Sequence, residues 1–361
     1  MPSSTSSSDT AGGMRSYDRQ VPDKSLGRGA LLALLIAILL MGGWEAYWRA
    51  NDAVPSYRNS EGQWAIQRRR INRGEGHKTV LSGSSRVLFD VQLDVWEQES
   101  GERPIQLALE GTTPLPLMED LADDPDFTGT LLVGFAPDVF LTGFQYRGDA
   151  FAHFRDETPT QWLGQRISMV VEPYLAFYIF DFALFTIINR QAWPVREGVH
   201  TRTEVRHLFT MTKDRNTRLW SKVADDEEYA NIIKATWMQD FDLSGEPDEM
   251  LLGMIEEKRG DEIERTAATA RKLQEKGVEV IFVRNPSSGD YAIAESIYFP
   301  RAENWDVLIE KSGALGIHWQ DHEELQGYWL PEWSHMSGSE ADRYTKALYH
   351  VIQRERLRHK E

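Results

Sequence analysis

The stretch Thr79-Val80-Leu81-Ser82-Gly83-Ser84-Ser85 decides the fold class, because a short apolar strand there runs directly into a glycine–serine turn. Similar short apolar runs, separated by helix-like segments, lie at 105–109, 130–134 and 278–283. Strands that alternate with helices are typical of a parallel sheet covered by helices. We therefore expect an α/β fold, a three-layer sandwich around a parallel sheet. We also expect helices at about 86–97, 115–122 and 247–276, a strand at about 315–319, and a last helix after a capping box at 337–340.

Ser85 and His335 are the candidate catalytic residues. A serine on a sharp turn after a strand is held close to helix-terminal N–H groups, and a histidine can take its proton when a carboxylate fixes the imidazole. Glu332 precedes His335 by three residues and is the candidate for that carboxylate. A serine before a helix also suits an N-cap, a role we expect of Ser84. Val87 stands where the nucleophile elbow of an α/β-hydrolase has its second glycine, which argues against that fold.

The order and spacing of these residues resemble the SGNH/GDSL hydrolase family. Gly83-Ser84-Ser85 is similar to the family's first block, and Glu332-x-x-His335 to its last, with glutamate in place of aspartate. The resemblance implies that the backbone N–H groups of Ser85 and Gly111 form the oxyanion hole. Ala136 stands where the family has an asparagine that donates to the oxyanion. The loss of one such donor costs about two to three orders of magnitude in rate.

Residues 29–48 predict a transmembrane anchor. The run is apolar from Gly29 to Trp44 and continues to Trp48, about 20 residues or roughly 30 Å of helix. A cleaved signal peptide is the alternative, which the length of the run and the lack of an Ala-x-Ala-like site disfavour. Lysines and arginines near the ends of the segment favour an N-terminus inside and the large domain outside, in the periplasm or the extracellular space. Residues 1–28, rich in serine, glycine and charge, predict a disordered tail.

The rest of the chain divides into a juxtamembrane stalk at 49–76 and an SGNH-like domain at 77–355. We expect a short helix at 64–66 to pack on that domain. The strand–helix alternation stops at about 150–245, which predicts a mostly helical insertion. The insertion holds an apolar segment, 169–188. It could be a second membrane span, but its two carboxylates and a proline favour a buried or membrane-surface helical segment.

Composition excludes several classes of protein. The net charge is −16, whereas a general nucleic-acid binder needs a basic face, so we expect no nucleic-acid partner. The absence of cysteine excludes disulfides, a cysteine nucleophile and thiolate metal sites. There is no glycine-rich phosphate loop, and we expect no cofactor. His318 and His322 with Asp321 lack a third ligand at helical spacing, so we expect no metal.

Two arginines are candidate substrate-binding residues. Arg284 follows the 278–283 strand at its carboxyl end, where α/β folds bind ligands. Arg301 lies in the Phe299-Pro300-Arg301 stretch. Either could hold an anionic sugar or an acyl carbonyl, and a structural salt bridge is the alternative for both.

The resemblance is closest to membrane-anchored proteins that O-acetylate polysaccharides, the alginate acetylation proteins among them. It implies a serine esterase or O-acyltransferase that acts on an ester of an envelope or extracellular polysaccharide. The implied partners are an acylated carbohydrate or small ester, the membrane, and a membrane-bound acyl donor protein. The alternative is a catalytically weak SGNH-fold subunit that binds or assembles a polysaccharide-modifying complex, which Ala136 supports. A soluble cytoplasmic hydrolase would require dismissing the 29–48 segment.

Overall fold

The structure is a computed structural model that describes residues 26–190, 207–244 and 247–359. The chain divides into two units, Met1–Tyr47 and Trp48–Glu361. Helix α1, Gly27–Ala50, forms the described part of the first unit and continues into the second. Among the described residues, α1 is the one helix long and apolar enough to cross a membrane. A signal sequence near an N-terminus passes the same test of length and apolar composition.

Five parallel strands form the sheet of the second unit. In chain order the strands of the molecule are β1 (Val80–Ser82), β2 (Ile105–Gln106), β3 (Thr130–Gly134), β4 (Phe209–Met211), β5 (Thr217–Leu219), β6 (Glu279–Arg284) and β7 (Leu315–His318). The sheet runs in the order β2-β1-β3-β6-β7, and all of its pairs are parallel. Counted along the chain this is the doubly wound order 2-1-3-4-5, so the direction of winding reverses between β1 and β3. The α/β class and the parallel sheet are thus confirmed.

Fourteen further α-helices lie in the described part of the second unit. They are α2 (Glu61–Arg70), α3 (Ser85–Asp90), α4 (Leu93–Ser100), α5 (Leu115–Asp123), α6 (Pro137–Thr142), α7 (Asp149–Asp156), α8 (Pro159–Val171), α9 (Leu184–Asn189), α10 (Ser221–Asp225), α11 (Glu227–Trp237), α12 (Glu249–Glu275), α13 (Gly289–Tyr298), α14 (Trp305–Ser312) and α15 (Gly338–His359).

The sheet carries a hydrophobic core on each face, because successive strand residues point to opposite sides. Leu131 and Phe282 belong to the core that α5, α12 and α14 cover. Leu132 and Ile281 belong to the core that α3 and α15 cover. Helices on both faces leave the carboxyl ends of the strands as the accessible edge.

The helix expected at 86–97 is wrong in one respect, because it is two helices, α3 and α4, with a break at Val91–Gln92. Tertiary hydrogen bonds replace the helical ones there. The Gln92 backbone N–H donates to Thr345 Oγ1 over 2.8 Å, and its side-chain amide donates to the Thr217 carbonyl over 2.8 Å. The strand expected at 105–109 is also shorter, since only Ile105–Gln106 forms regular sheet.

The segment expected to be a stalk contains α2, which packs within the second unit. Trp64 is fully buried, and its indole N–H donates to the Leu107 carbonyl over 2.9 Å. Ser60 caps the helix by accepting from the Gln63 N–H. A helix around 64–66 that packs on the domain is therefore present, as part of the compact unit that begins at Trp48.

The insertion at 150–245 is helical where described, apart from an antiparallel hairpin of β4 and β5 that the sequence analysis did not predict. The apolar segment 169–188 is no second span. It breaks into the end of α8, three short 3₁₀ turns and part of α9, none long enough to cross a membrane. Residues 191–206 and 245–246 of the predicted insertion lie outside the described residues.

Candidate active site

One pocket is lined by two of the three residues expected to be catalytic, Ser85 and His335, while Glu332 lies behind the lining. Ser85, Gly111, Ala136 and His335 all line a cleft of about 860 Å³. The first three follow β1, β2 and β3, so they meet at the carboxyl edge of the sheet, beside the point where the winding reverses. Ligands of open α/β sheets bind at that edge.

Glu332 and His335 form a buried hydrogen-bonded pair. Glu332 Oε1 accepts from His335 Nδ1 over 2.9 Å and from the His335 backbone N–H over 2.6 Å. Its other oxygen, Oε2, accepts from the Trp237 indole N–H. Because a carboxylate only accepts, the imidazole carries its hydrogen on Nδ1 and presents Nε2 as a base. This Nε2 is buried and has no hydrogen-bond partner in the described chain.

Local backbone geometry explains how Ser85 comes to the pocket. Gly83 has a φ of 139°, and a Cβ there would lie 3.0 Å from the backbone of Gly134 on the neighbouring strand. Ser84 then takes the N-cap position, although its hydroxyl makes no capping hydrogen bond, and Ser85 is the first residue of α3. No hydrogen bond joins Ser85 Oγ to His335 among the described residues. Catalytic hydrogen bonds are often long before substrate binds.

Arg284 does not line this pocket, so the prediction that it binds substrate is corrected. It is buried at the end of β6, where its Nη2 lies 2.6 Å from Glu295 Oε2. Glu295 Oε1 lies 2.6 Å from Arg86 Nη2, so one carboxylate joins two guanidinium groups. Burial alone would raise the pKa of Glu295, but the two arginines together lower it to about 2. The cluster anchors the start of α3 to β6 and α13.

Arg301 also lies outside the pocket lining. Its guanidinium binds Asp321 through two hydrogen bonds of 2.7 Å, and its Nε donates to Asp306 over 3.1 Å. Both predicted substrate-binding arginines therefore take the alternative role, that of a structural ion pair. The neighbouring His318 is buried, which lowers its pKa to about 3. The described residues contain no cluster of three or more groups that could hold a metal ion.

Arg86 is a polar residue of the pocket that the sequence analysis overlooked. Ala136 lines the pocket as the N-cap of α6 and offers no side-chain donor. Arg86 lines the same pocket, and its Nη1 is buried without a hydrogen-bond partner in the described ranges. Its Nε lies 3.3 Å from Ser334 Oγ, next to His335 in the chain. Its place directly after Ser85 is the sequence signal that could have indicated it.

The rest of the pocket wall comes from other segments. It is formed by α2 and the residues before it, by the loop after α6 and by the insertion, and includes Arg58, Phe144, Tyr146, Phe180, Asp181, His207 and Phe209.

A comparison with models of known protein families found no match, and a comparison with curated proteins found no significant relative.

Proposed function

We propose that this chain is a membrane-anchored serine esterase or O-acyltransferase of the SGNH/GDSL kind, acting on an ester of an envelope or extracellular polysaccharide. The observation that carries the proposal is the Glu332–His335 pair: His335 lines the same pocket as Ser85, and its Nε2 has no hydrogen-bond partner among the described residues. A buried carboxylate that fixes an imidazole beside a serine is the arrangement that nucleophilic acyl transfer requires.

In this mechanism His335 Nε2 takes the proton of Ser85 Oγ as that oxygen attacks the ester carbonyl carbon. The tetrahedral intermediate collapses, the ester C–O bond breaks, and the alcohol leaves with the proton from His335. Water or a sugar hydroxyl then attacks the acyl group on Ser85, again giving its proton to His335, which returns it to Ser85. The backbone N–H groups of Ser85 and Gly111 would stabilise the oxyanion, and Arg86 Nη1 would supply the donor that Ala136 lacks.

Covalent labelling tests the nucleophile. The full chain in mild detergent is treated with a fluorophosphonate probe, which reacts with activated serines. We expect labelling of the wild type and none of Ser85→Ala. Ser84→Ala is the matched control, since Ser84 lines the same pocket but precedes the helix, and it should still be labelled. Loss of labelling in Ser84→Ala together with labelling of Ser85→Ala would refute the assignment.

Ala136 favours a second candidate function, a binding or assembly subunit with little catalysis. Two results would support it: no labelling of the wild type, and no gain of ester hydrolysis in Ala136→Asn. A gain in that variant would instead show a working site that lacks one donor, because oxyanion donors act on the transition state.

The large domain would lie outside the cytoplasm, in the periplasm or the extracellular space. α1 has the length and composition of a membrane span, and the lysines and arginines near its ends favour an N-terminus inside. An alkaline phosphatase fused after residue 361 should be active, since that enzyme matures outside the cytoplasm. An inactive fusion, with a fluorescent cytoplasmic reporter at the same point, would place the site on the cytoplasmic side and exclude extracellular polysaccharide as its substrate.

A further inference from the structure

A second histidine–carboxylate pair belongs to the same pocket. His207 Nδ1 lies 3.3 Å from Asp181 Oδ2, and both residues line the cleft. His207 is only 3% exposed, and its Nε2 has no hydrogen-bond partner within the residues that the structure describes. Asp181 also pairs with Arg190 over 2.7 Å. Burial alone would raise the pKa of Asp181, but the hydrogen bonds from His207 and Arg190 lower it overall.

The His207–Asp181 pair is arranged so that His207 can accept a hydrogen bond. Asp181 stays a carboxylate, so it holds the hydrogen of His207 on Nδ1 and leaves Nε2 as an acceptor. The ring itself is held among Phe182, Trp220 and Phe209, with centroids 4.8, 5.0 and 5.9 Å away. A buried imidazole nitrogen with no partner is unfavourable unless a bound group hydrogen-bonds to it.

Two aromatic rings link His207 to His335. His335 packs on Phe89, Phe89 on Phe209, and Phe209 on His207, with centroid distances of 4.4, 5.4 and 5.9 Å. His207 is therefore separate from the group that would activate Ser85. Exposed aromatic rings of Phe144, Tyr146 and Phe180 line the same cleft.

We infer that this wall binds the carbohydrate part of the substrate, with His207 Nε2 accepting a hydrogen bond from a sugar hydroxyl that does not react. A pyranose offers hydroxyl donors at its edge and an apolar face, which the imidazole nitrogen and the aromatic rings complement. The inference rests on the proposed function, and it names the residues that would bind the sugar of that substrate.

The test compares two substrates of the full chain in mild detergent. 6-O-acetylglucose carries free hydroxyls, whereas p-nitrophenyl acetate carries none. His207→Leu should lower kcat/KM for the sugar ester about tenfold, mainly through KM, as expected for one lost hydrogen bond. Hydrolysis of p-nitrophenyl acetate and fluorophosphonate labelling should stay unchanged. Asp181→Asn should show a smaller loss of the same kind.

His153→Leu is the matched control, because His153 also binds a carboxylate, Glu157, over 3.3 Å but lies outside the pocket lining. Equal losses on both esters in His207→Leu and Asp181→Asn would mean a structural role and overturn the inference. An unchanged kcat/KM for the sugar ester in His207→Leu would overturn it as well. Failure of the wild type to label at Ser85 would instead overturn the proposed function itself.

An apolar face on the insertion carries a second, independent inference. Nine large apolar residues of α8 and the segment after it are between 44% and 74% exposed: Trp162, Leu163, Ile167, Val170, Tyr174, Phe180, Leu184, Phe185 and Ile188. So large a group of exposed apolar side chains marks an interaction site.

The start of the second unit lies beside this apolar face. Trp48 stacks on Phe182 with centroids 4.6 Å apart, and Arg49 Nη2 donates to the Tyr174 carbonyl over 2.9 Å. These two residues belong to the end of α1, the candidate membrane span. The apolar face is thus continuous with the point where the chain would leave the bilayer.

We propose that the apolar face lies in the surface of a lipid bilayer, next to the end of α1. Tryptophan and tyrosine among its aliphatic residues are typical of the membrane interface. Because Phe180 belongs both to this face and to the pocket lining, the pocket would open close to the lipid headgroups.

The absence of cysteine makes the test direct, since single cysteines can be introduced without background. Leu163→Cys, Val170→Cys and Phe185→Cys, each labelled with a nitrobenzoxadiazole dye, are reconstituted as full chains in phosphatidylcholine–phosphatidylglycerol vesicles. Lipids with a doxyl quencher on the acyl chain should quench all three dyes. Met254→Cys is the control, being 56% exposed on α12, and should not be quenched. Quenching no stronger than at position 254 would overturn the proposal, and blue-shifted but unquenched emission would show that protein covers the face.

Discussion

Replacement of Glu295 tests the buried ion-pair cluster that it forms with Arg86 and Arg284 next to the pocket. Its buried carboxylate accepts from Arg86 and Arg284, each over 2.6 Å, and from the Ser287 hydroxyl. Glu295→Gln keeps the volume but leaves two buried guanidinium groups with no anion between them. Removal of one partner from a buried ion pair costs about 3–5 kcal/mol. We expect a loss of that size, a large part of the roughly 5–15 kcal/mol of a typical domain.

The pH dependence of this loss has a definite sign. The pKa of Glu295 is lowered from 4.5 to about 2 in the folded chain. The stability that its charge contributes is therefore present above pH 4.5 and is lost as the pH falls toward 2. The difference in unfolding free energy between wild type and Glu295→Gln should accordingly shrink between pH 5 and pH 3.

Urea unfolding of the full chain in mild detergent, followed by tryptophan fluorescence, measures the effect. Glu303→Gln is the control, because Glu303 pairs with Arg259 over 2.9 Å at an exposed site. Exposed pairs contribute about 0–1 kcal/mol. A loss in Glu295→Gln no larger than that in Glu303→Gln would refute the role of the cluster as a buried ion pair.

Three further outcomes follow from the site and the sheet. Trp237→Phe removes the indole donor to Glu332, and should slow fluorophosphonate labelling by about tenfold or more; an unchanged labelling rate would contradict this. Burial raises the pKa of Asp90 to about 7, so the folded chain holds a proton that the unfolded chain releases near pH 4, and stability should fall as the pH rises from 4 to 7. Asp90→Asn should flatten this slope in unfolding measurements at pH 5 and 8, and an equal slope in both proteins would speak against it. A Cβ on Gly134 would lie 2.1 Å from Val87 Cγ2, so Gly134→Ala should cost about 1–3 kcal/mol in urea unfolding, and Val87→Ala should restore part of it; a double variant no more stable than Gly134→Ala would contradict that origin.

The sequence predicted the elements that local pattern determines. β3 and β6 match their apolar runs at 130–134 and 278–283 to within one residue, because continuous burial of a central strand leaves a continuous apolar run. The break after α3 was missed because Gln92 is bonded to Thr217 and Thr345, which lie 125 and 253 residues further along the chain. Nothing near Gln92 in the sequence indicates those partners.

The residues of the site also divide into those whose contacts are local in sequence and those whose partners are distant. Glu332 and His335 are three residues apart, so their contact could be predicted from spacing. Arg284 follows a strand, as a ligand-binding residue would, but its burial and its pair with Glu295 depend on how α13 packs, which spacing does not give. His207 was missed because its partner Asp181 lies 26 residues away, in a segment without helical periodicity.

The two walls of the pocket have different origins, and this bears on how such a protein can diversify. Ser85, Gly111 and His335 are attached to the sheet, whereas Asp181 and His207 belong to the insertion. Substitutions in the insertion that keep Trp237, the donor to Glu332, can therefore alter which molecule is held without removing a contact of the catalytic pair. A library randomised at the pocket-lining residues of the insertion other than Trp237 would sample new specificities on one catalytic frame.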